Sequence, residues 1–166
     1  VGEKPASALN RLIKNFNSKI DDDLLTAAEA KGYTLDEIVV IASLIEKETD
    51  GSDHSKIASV IYNRLYNWGN NPAFLNIDAA IFYALGEHKD SLTAEDLQVD
   101  SPYNTYTNTG MTPGPIANPG LASIEAALDP EETSYYYYVL DPEAGSHQFS
   151  KTLAEHEKKI KQIYGG

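Results

Sequence analysis

Two neighbouring glutamates carry the clearest chemical potential in this 166-residue chain. Glu46 and Glu48 close the apolar run from Ile38 to Ile45, in the order Glu46-Lys47-Glu48-Thr49. On a helix, Glu48 follows Ile41, Leu44 and Ile45 along one face, so its carboxylate continues a stripe that faces the core. Desolvation raises a carboxyl pKa, and a carboxyl that keeps its proton near neutral pH can act as a general acid on a leaving-group oxygen. Glu46 lies nearly opposite, in line with Val39, Ala42 and Ser43. Because the run is apolar all round, periodicity does not choose between the two. The same pattern also suits two glutamates that merely end a helix in water.

A second group of chemically useful side chains lies in Ser101-Pro102-Tyr103-Asn104-Thr105-Tyr106-Thr107-Asn108. Aromatic rings pack on the apolar faces of sugars, while amides and hydroxyls pair with sugar hydroxyls. The plainer reading is a turn-rich loop whose Asn and Thr bond their own backbone. The following Pro113-Gly114-Pro115-Ile116-Ala117-Asn118-Pro119-Gly120 fixes φ at its prolines and frees it at its glycines, which suits either a cleft wall or a connector. His54, His88, His147 and His156 show no metal-ligand spacing, so no metal site is expected, and His147 is the only one of interest for a site. Arg64 and Asp78 could form an ordinary ion pair. Tyr135 to Tyr138 reads as a half-buried strand rather than a binding stripe.

These residues need a scaffold, and the composition supplies one. With 42% hydrophobic residues, the chain can build a single compact core. A net charge of −12 opposes nucleic-acid binding, which is driven by Lys and Arg at phosphates. No cysteine is present, which removes disulfides, thiolate metal sites and a thiol nucleophile. The longest apolar run falls far short of the roughly 20 residues that span a bilayer. The chain opens on Val1 without a signal peptide, as an excised piece would.

The periodicity predicts an amphipathic helix from Ala6 to Lys31, carrying Leu9, Leu12, Ile13, Phe16, Ile20 and Leu24 on one face and closed by Gly32. Thr34 and Glu37 form a capping box for a buried helix running to Glu48. A third helix spans about Asp53 to Trp68 and is broken by Gly69-Asn70-Asn71-Pro72. Asp78 can cap a short helix through Leu85, with Gly86 as its stop, and Thr93 with Asp96 suggests one further turn. The stretch from Val99 to Gly120 holds four prolines and three glycines and has no periodicity. An irregular segment that long inside a domain is usually functional. Leu121 to Leu128 reads as helix. Tyr135 to Leu140 and His147 to Ser150 read as a hairpin, and Thr152 with Glu155 caps a last charged helix. The expected fold class is α+β, mostly helical.

Four blocks then become recognisable: Ile41-Ala42-Ser43-Leu44-Ile45-Glu46-Lys47-Glu48-Thr49, Val60-Ile61-Tyr62-Asn63-Arg64-Leu65, Asp100 to Tyr106, and Pro113 to Gly120. In order and spacing they resemble the MltG (YceG-like) family of endolytic peptidoglycan transglycosylases. Ile77-Asp78, Tyr83-Ala84-Leu85-Gly86, Ser123 to Ala127 and His147 to Thr152 extend the match, from roughly Tyr33 to Ile160. The resemblance implies a lysozyme-like catalytic core over residues 33–166; the N-terminal helix, residues 1–32, lies outside the match and is expected from its one apolar face to pack on that core. It implies cleavage of the β-1,4 bond between N-acetylmuramic acid and N-acetylglucosamine with a 1,6-anhydro product, and no cofactor. Glu48 matches the family's catalytic carboxylate, while Asp78, Tyr103, Asn104, Thr105, Tyr106, Pro113, Gly114, Asn118 and His147 fall on motif positions expected to line the cleft.

The implied partners are glycan strands and peptidoglycan synthases, at the extracytoplasmic face of the cell membrane. Membrane attachment is implied only through segments outside this chain. Asp50 to Ser55 and Asn76-Ile77-Asp78 depart from the family pattern. A non-catalytic glycan-binding scaffold and a hydrolytic muramidase are the rival functions.

Overall fold

The structure, a computed structural model of the chain, describes residues 2–49, 51–69, 72–87 and 89–165. The N-terminal segment forms two helices, α1 (Pro5–Lys19) and α2 (Asp22–Ala30), rather than the single one that periodicity suggests. The break falls where the Asp21 side chain accepts a hydrogen bond from the Leu24 N–H at 3.0 Å, which starts a new helix. It also changes what packs. α1 has no buried residue, and Leu9, Leu12 and Ile13 remain more than half exposed. The contact with the core expected of the whole segment is made by Ile20, Leu24 and Ala28.

α3 (Leu35–Glu48) is the axis of the domain. Both halves of the Thr34–Glu37 capping box are formed, at 2.8 and 3.2 Å. From Ile38 to Ile45 only Val39 escapes full burial, which a helix achieves only when neighbours enclose it on every side. α2 and α4 (His54–Tyr66) supply part of that enclosure. α5 (Asp78–Leu85) and α6 (Leu121–Leu128) supply the rest. Asp78 does not cap α5 as expected: Ile77 holds the cap position, and the Asp78 carboxylate turns to the Tyr106 hydroxyl instead. Gly86, with φ +71°, ends α5 in the left-handed conformation that favours glycine.

A two-stranded antiparallel hairpin, β1 (Tyr137–Asp141) and β2 (Ser146–Ser150), lies against α4 with Tyr137 opposite Ser150. The strand starts later than the residue pattern suggests because the preceding backbone is committed to α4. Asn63 Nδ2 donates to the Thr133 and Tyr135 carbonyls at 3.0 and 2.9 Å, and Arg64 Nε donates to the Tyr136 carbonyl at 2.7 Å. α7 (Leu153–Tyr164) backs the hairpin, with the Tyr164 hydroxyl donating to the Leu140 carbonyl at 2.7 Å. The result is an α+β fold dominated by helices.

The irregular segment from Val99 to Gly120 is held by its own polar side chains. Asn104 is fully buried, and its amide nitrogen donates to the Leu97 and Val99 carbonyls while its oxygen accepts from the Tyr106 N–H. Thr105, also buried, exchanges hydrogen bonds with both backbone groups of Ile77. Ser43 of α3 accepts from the Ile116 N–H at 3.0 Å. We predict that Asn104→Ala, which strands three part-buried backbone groups, lowers stability by about 1–3 kcal/mol in urea unfolding.

Candidate active site

α3 delivers Glu46 and Glu48 to different surroundings. Glu46 Oε2 accepts from the Gly120 N–H at 3.0 Å and from the Ser123 hydroxyl at 2.6 Å, at the N-terminus of α6. These bonds favour the charged form and hold its pKa below the ordinary value, Ser123 contributing most. Glu46 therefore acts as an ionised brace between α3 and α6.

Glu48 is only partly reached by solvent, and the desolvation of its carboxyl pushes the pKa up to about 7. The Tyr138 hydroxyl donates to Glu48 Oε2 at 2.7 Å and opposes the shift, while the negative charge of Asp78 adds to it. Desolvation prevails and shifts Glu48 towards holding its proton near neutral pH, as a general acid requires. Burial is also the main reason that the Tyr138 hydroxyl is held well above the ordinary tyrosine pKa, which keeps it a donor.

Three pockets share Glu48 in their walls. One of about 660 Å³ runs along α5 past Asp78, Phe82, Tyr83 and Ile116. A second of about 360 Å³ lies towards Asp53, Thr49 and His147. The third, about 420 Å³, passes Asp78, Tyr106 and Tyr138 towards Arg64. Together they make a concave surface with a protonatable carboxyl at its centre and aromatic, amide and hydroxyl groups around it.

The expected site residues divide within this arrangement. Asp78 is exposed at the junction of two pockets, its Oδ1 accepting from the Tyr106 hydroxyl at 2.5 Å, so these two stand together beside Glu48. His147 lines the second of these pockets, its backbone N–H donating to Asp53 Oδ2 at 2.8 Å and its ring Nδ1 lying 3.2 Å from the same oxygen. Tyr103 is one layer back, its ring 4.8 Å from that of Tyr83. A Cβ added at Gly114 would sit 3.0 Å from the Tyr103 hydroxyl, so the Pro/Gly segment crosses closely over that ring.

Pro113 and Asn118 are exposed on the same segment, outside the walls of the three pockets. Asn104 and Thr105 are enclosed and spend their side chains on backbone groups, which is a different task from the sugar contact expected of them. Nor do Arg64 and Asp78 pair: Arg64 gives its Nη1 to the Leu75 carbonyl at 2.6 Å. Among the described residues no three His, Cys, Asp or Glu side chains gather as a metal site requires. His88 lies outside the described residues.

With this geometry in view, the whole chain can be set against known proteins. The model of the YceG-like family matches residues 1–162. The chain belongs to the YceG-like family. The match takes in the N-terminal helices that the motif blocks leave out. An endolytic murein transglycosylase of Bacillus subtilis is 45% identical over 151 residues, covering 90% of this chain and 40% of that protein. An enzyme of the same name from Streptococcus pneumoniae is 31% identical over 166 residues, covering 95% of this chain and 29% of its own length. The crystal structure of a yceG-like protein from Listeria monocytogenes superposes with a TM-score of 0.84 at 41% identity, covering 96% of this chain and 50% of that one. This YceG-like domain thus spans half or less of the proteins it resembles.

Sequence reasoning missed Tyr138, the direct partner of Glu48, because a run of four tyrosines looks like ordinary strand material. The available signal was alternation: with Tyr137 opposite Ser150, Tyr138 lies on the other face of the strand from Tyr137. Asp53 and Asn76 were missed as well. We predict that Tyr138→Phe moves the Glu48 pKa further up, by removing a bond to the ionised form, while Asp78→Asn moves it down, by removing a neighbouring negative charge. Carboxyl-selective NMR titration would resolve the two directions.

Proposed function

We propose that this domain is a lytic transglycosylase that cleaves the β-1,4 bond between N-acetylmuramic acid and N-acetylglucosamine within peptidoglycan strands. The observation that carries this reading is the carboxyl of Glu48, poised near neutral pH by desolvation at the meeting point of three pockets. The names of the Bacillus and Streptococcus relatives support the same reaction class.

Glu48 in its protonated form donates to the glycosidic oxygen as the C1–O bond breaks, releasing the N-acetylglucosamine hydroxyl and leaving an oxocarbenium-like centre at C1 of the muramoyl sugar. The carboxylate so formed takes the proton of that sugar's C6 hydroxyl while O6 bonds to C1, which closes the 1,6-anhydro ring and restores the acid. Tyr138 has two uses in this cycle. Its bond to Glu48 Oε2 fixes the carboxyl's orientation, and it stabilises the charged form between the two steps. The reaction uses no water, metal or cofactor. The parent protein acts at the extracytoplasmic face of the membrane, where synthases that extend the strands are its natural partners.

Asp78 supports one second reading. It is a second carboxylate bordering two of the pockets that hold Glu48, and two carboxylates suffice for a hydrolytic muramidase. The two reactions differ in product mass, the anhydro end being lighter by one water.

Digestion of purified glycan strands by the unaltered domain is expected to yield anhydro-ended fragments, with Glu48→Gln at least about 100-fold slower. Exclusively reducing ends would replace the transglycosylase by the muramidase, and strands bound but never cut would make the domain a binding module. Because the first step needs the protonated acid, kcat/KM should be highest on the acidic side and fall as pH rises through about 7, the value to which Glu48 is pushed. A pH–rate profile measures this directly.

A further inference from the structure

The pocket that runs from Glu48 past Tyr106 and Tyr138 does not end at Arg64. It shares Arg64, Asn76, Tyr137 and Leu153 with a further pocket of about 480 Å³, lined beyond them by Trp68, Phe74 and Thr109. The reaction at Glu48 makes no use of this second space, yet its walls are built as a binding site is built. Trp68 and Phe74 stand on it, 40% and 43% exposed. Large rings left in water beside a concavity usually meet an apolar ligand face.

Both rings are held in place. Trp68 meets Tyr136 and Tyr137 edge to face, with centroids 5.3 and 6.0 Å apart. The Phe74 backbone is fixed by a bridge to Thr109 and by Arg64 Nη1, 3.3 Å from its carbonyl oxygen.

Arg64 adds polar direction. Its Nε donates to the Tyr136 carbonyl, and its Nη1 to the Leu75 and Phe74 carbonyls, so the guanidinium plane is fixed. Its Nη2 carries two further N–H donors. They have no partner among the described residues. A fixed cationic fork with spare donors can bond any acceptor oxygen, a carbonyl among them. Asn76 and Thr109 add an amide and a hydroxyl to the same wall, Asn76 being held at φ +53°, a conformation that asparagine tolerates better than most residues.

We infer that this pocket is a distal subsite for an N-acetylated sugar of the strand that Glu48 cuts, with the pyranose C–H face on Trp68 and Phe74 and the acetamido oxygen on Arg64 Nη2. The identity of the ligand rests on the proposed function; the existence of the site rests on its geometry. Continuity with the Glu48 pocket favours a sugar of the same strand over a separate ligand. The net charge of −12 argues against the carboxylate-bearing stem peptide as occupant.

Trp68 is the only tryptophan in the chain, so its emission reports this pocket directly. In the Glu48→Gln variant, glycan strands stripped of stem peptides should change Trp68 emission in a saturable way, and free stem peptide should not. Phe74→Ala, which leaves the Phe74 backbone bonds in place, should weaken strand binding about 10-fold, equivalent to about 1.4 kcal/mol. With Glu48 intact it should raise KM more than it lowers kcat, and Phe74→Tyr should restore binding. Strands that bind by calorimetry without altering Trp68 emission would overturn the subsite and leave the cleavage reaction standing, as would a response to stem peptide alone. Strands neither bound nor cut by the unaltered domain would overturn both.

Discussion

Everything at the site depends on one constraint: α3 is apolar on all sides and can be stable only if it is surrounded. The first and last helices, α1 and α7, bury no residue, which lets their polar residues go where hydration is best. α3 has no water-facing side over Ile38 to Ile45, so four helices pack around it and its last turn emerges half-buried at the pocket walls, with Lys47 exposed. A carboxyl at that position begins with an electrostatic penalty. The penalty is useful, because it holds a proton that water would otherwise remove.

Glu46 and Glu48 show how local this effect is. They are two residues apart on one helix and carry the same functional group. Glu46 meets the first N–H and a hydroxyl of α6, which replace the water it lost and keep it charged. Glu48 meets one phenol and a neighbouring carboxylate, which do not replace it. The former binds the fold together, and the latter retains a titratable proton in a cleft. The opposed directions follow from what each carboxylate accepts, since both belong to the same buried helix.

The hairpin is positioned with comparable economy of means. Ser59 and, one turn later, the adjacent Asn63 and Arg64 of α4 reach the chain around Thr133 to Tyr136, so the helix sets where β1 begins. That placement brings the Tyr138 hydroxyl to Glu48. It also leaves Arg64 between two pockets, bonded to backbone carbonyls instead of the carboxylate that its charge would suggest. This half-buried guanidinium ties together three segments: the end of α4, the chain through Leu75, and the approach to β1.

Much of this was legible in the residues. The capping box at Thr34, the buried run that follows it, the helix from Leu121 to Leu128 and the stop at Gly86 rest on local rules of periodicity and capping, and local rules act within a few residues. The motif blocks carried the family, since several long segments in one order and spacing seldom coincide by chance. Periodicity missed a local cap at Asp21, which splits the first helix, and a distant partner at α5, where the Tyr106 hydroxyl takes the Asp78 carboxylate. The amide of Asn104 followed the plainer local reading and bonds nearby backbone groups. Sequence by itself thus determined the elements, their order and a shortlist of carboxylates. Tertiary structure alone decided that Glu46 would be ionised and Glu48 poised, that Tyr138 would be its partner, and that Asn104 and Thr105 would hold the loop instead of facing the cleft. The reason is that desolvation and hydrogen-bond partnership are properties of what surrounds a side chain, and those surroundings come from residues up to ninety positions away along the chain.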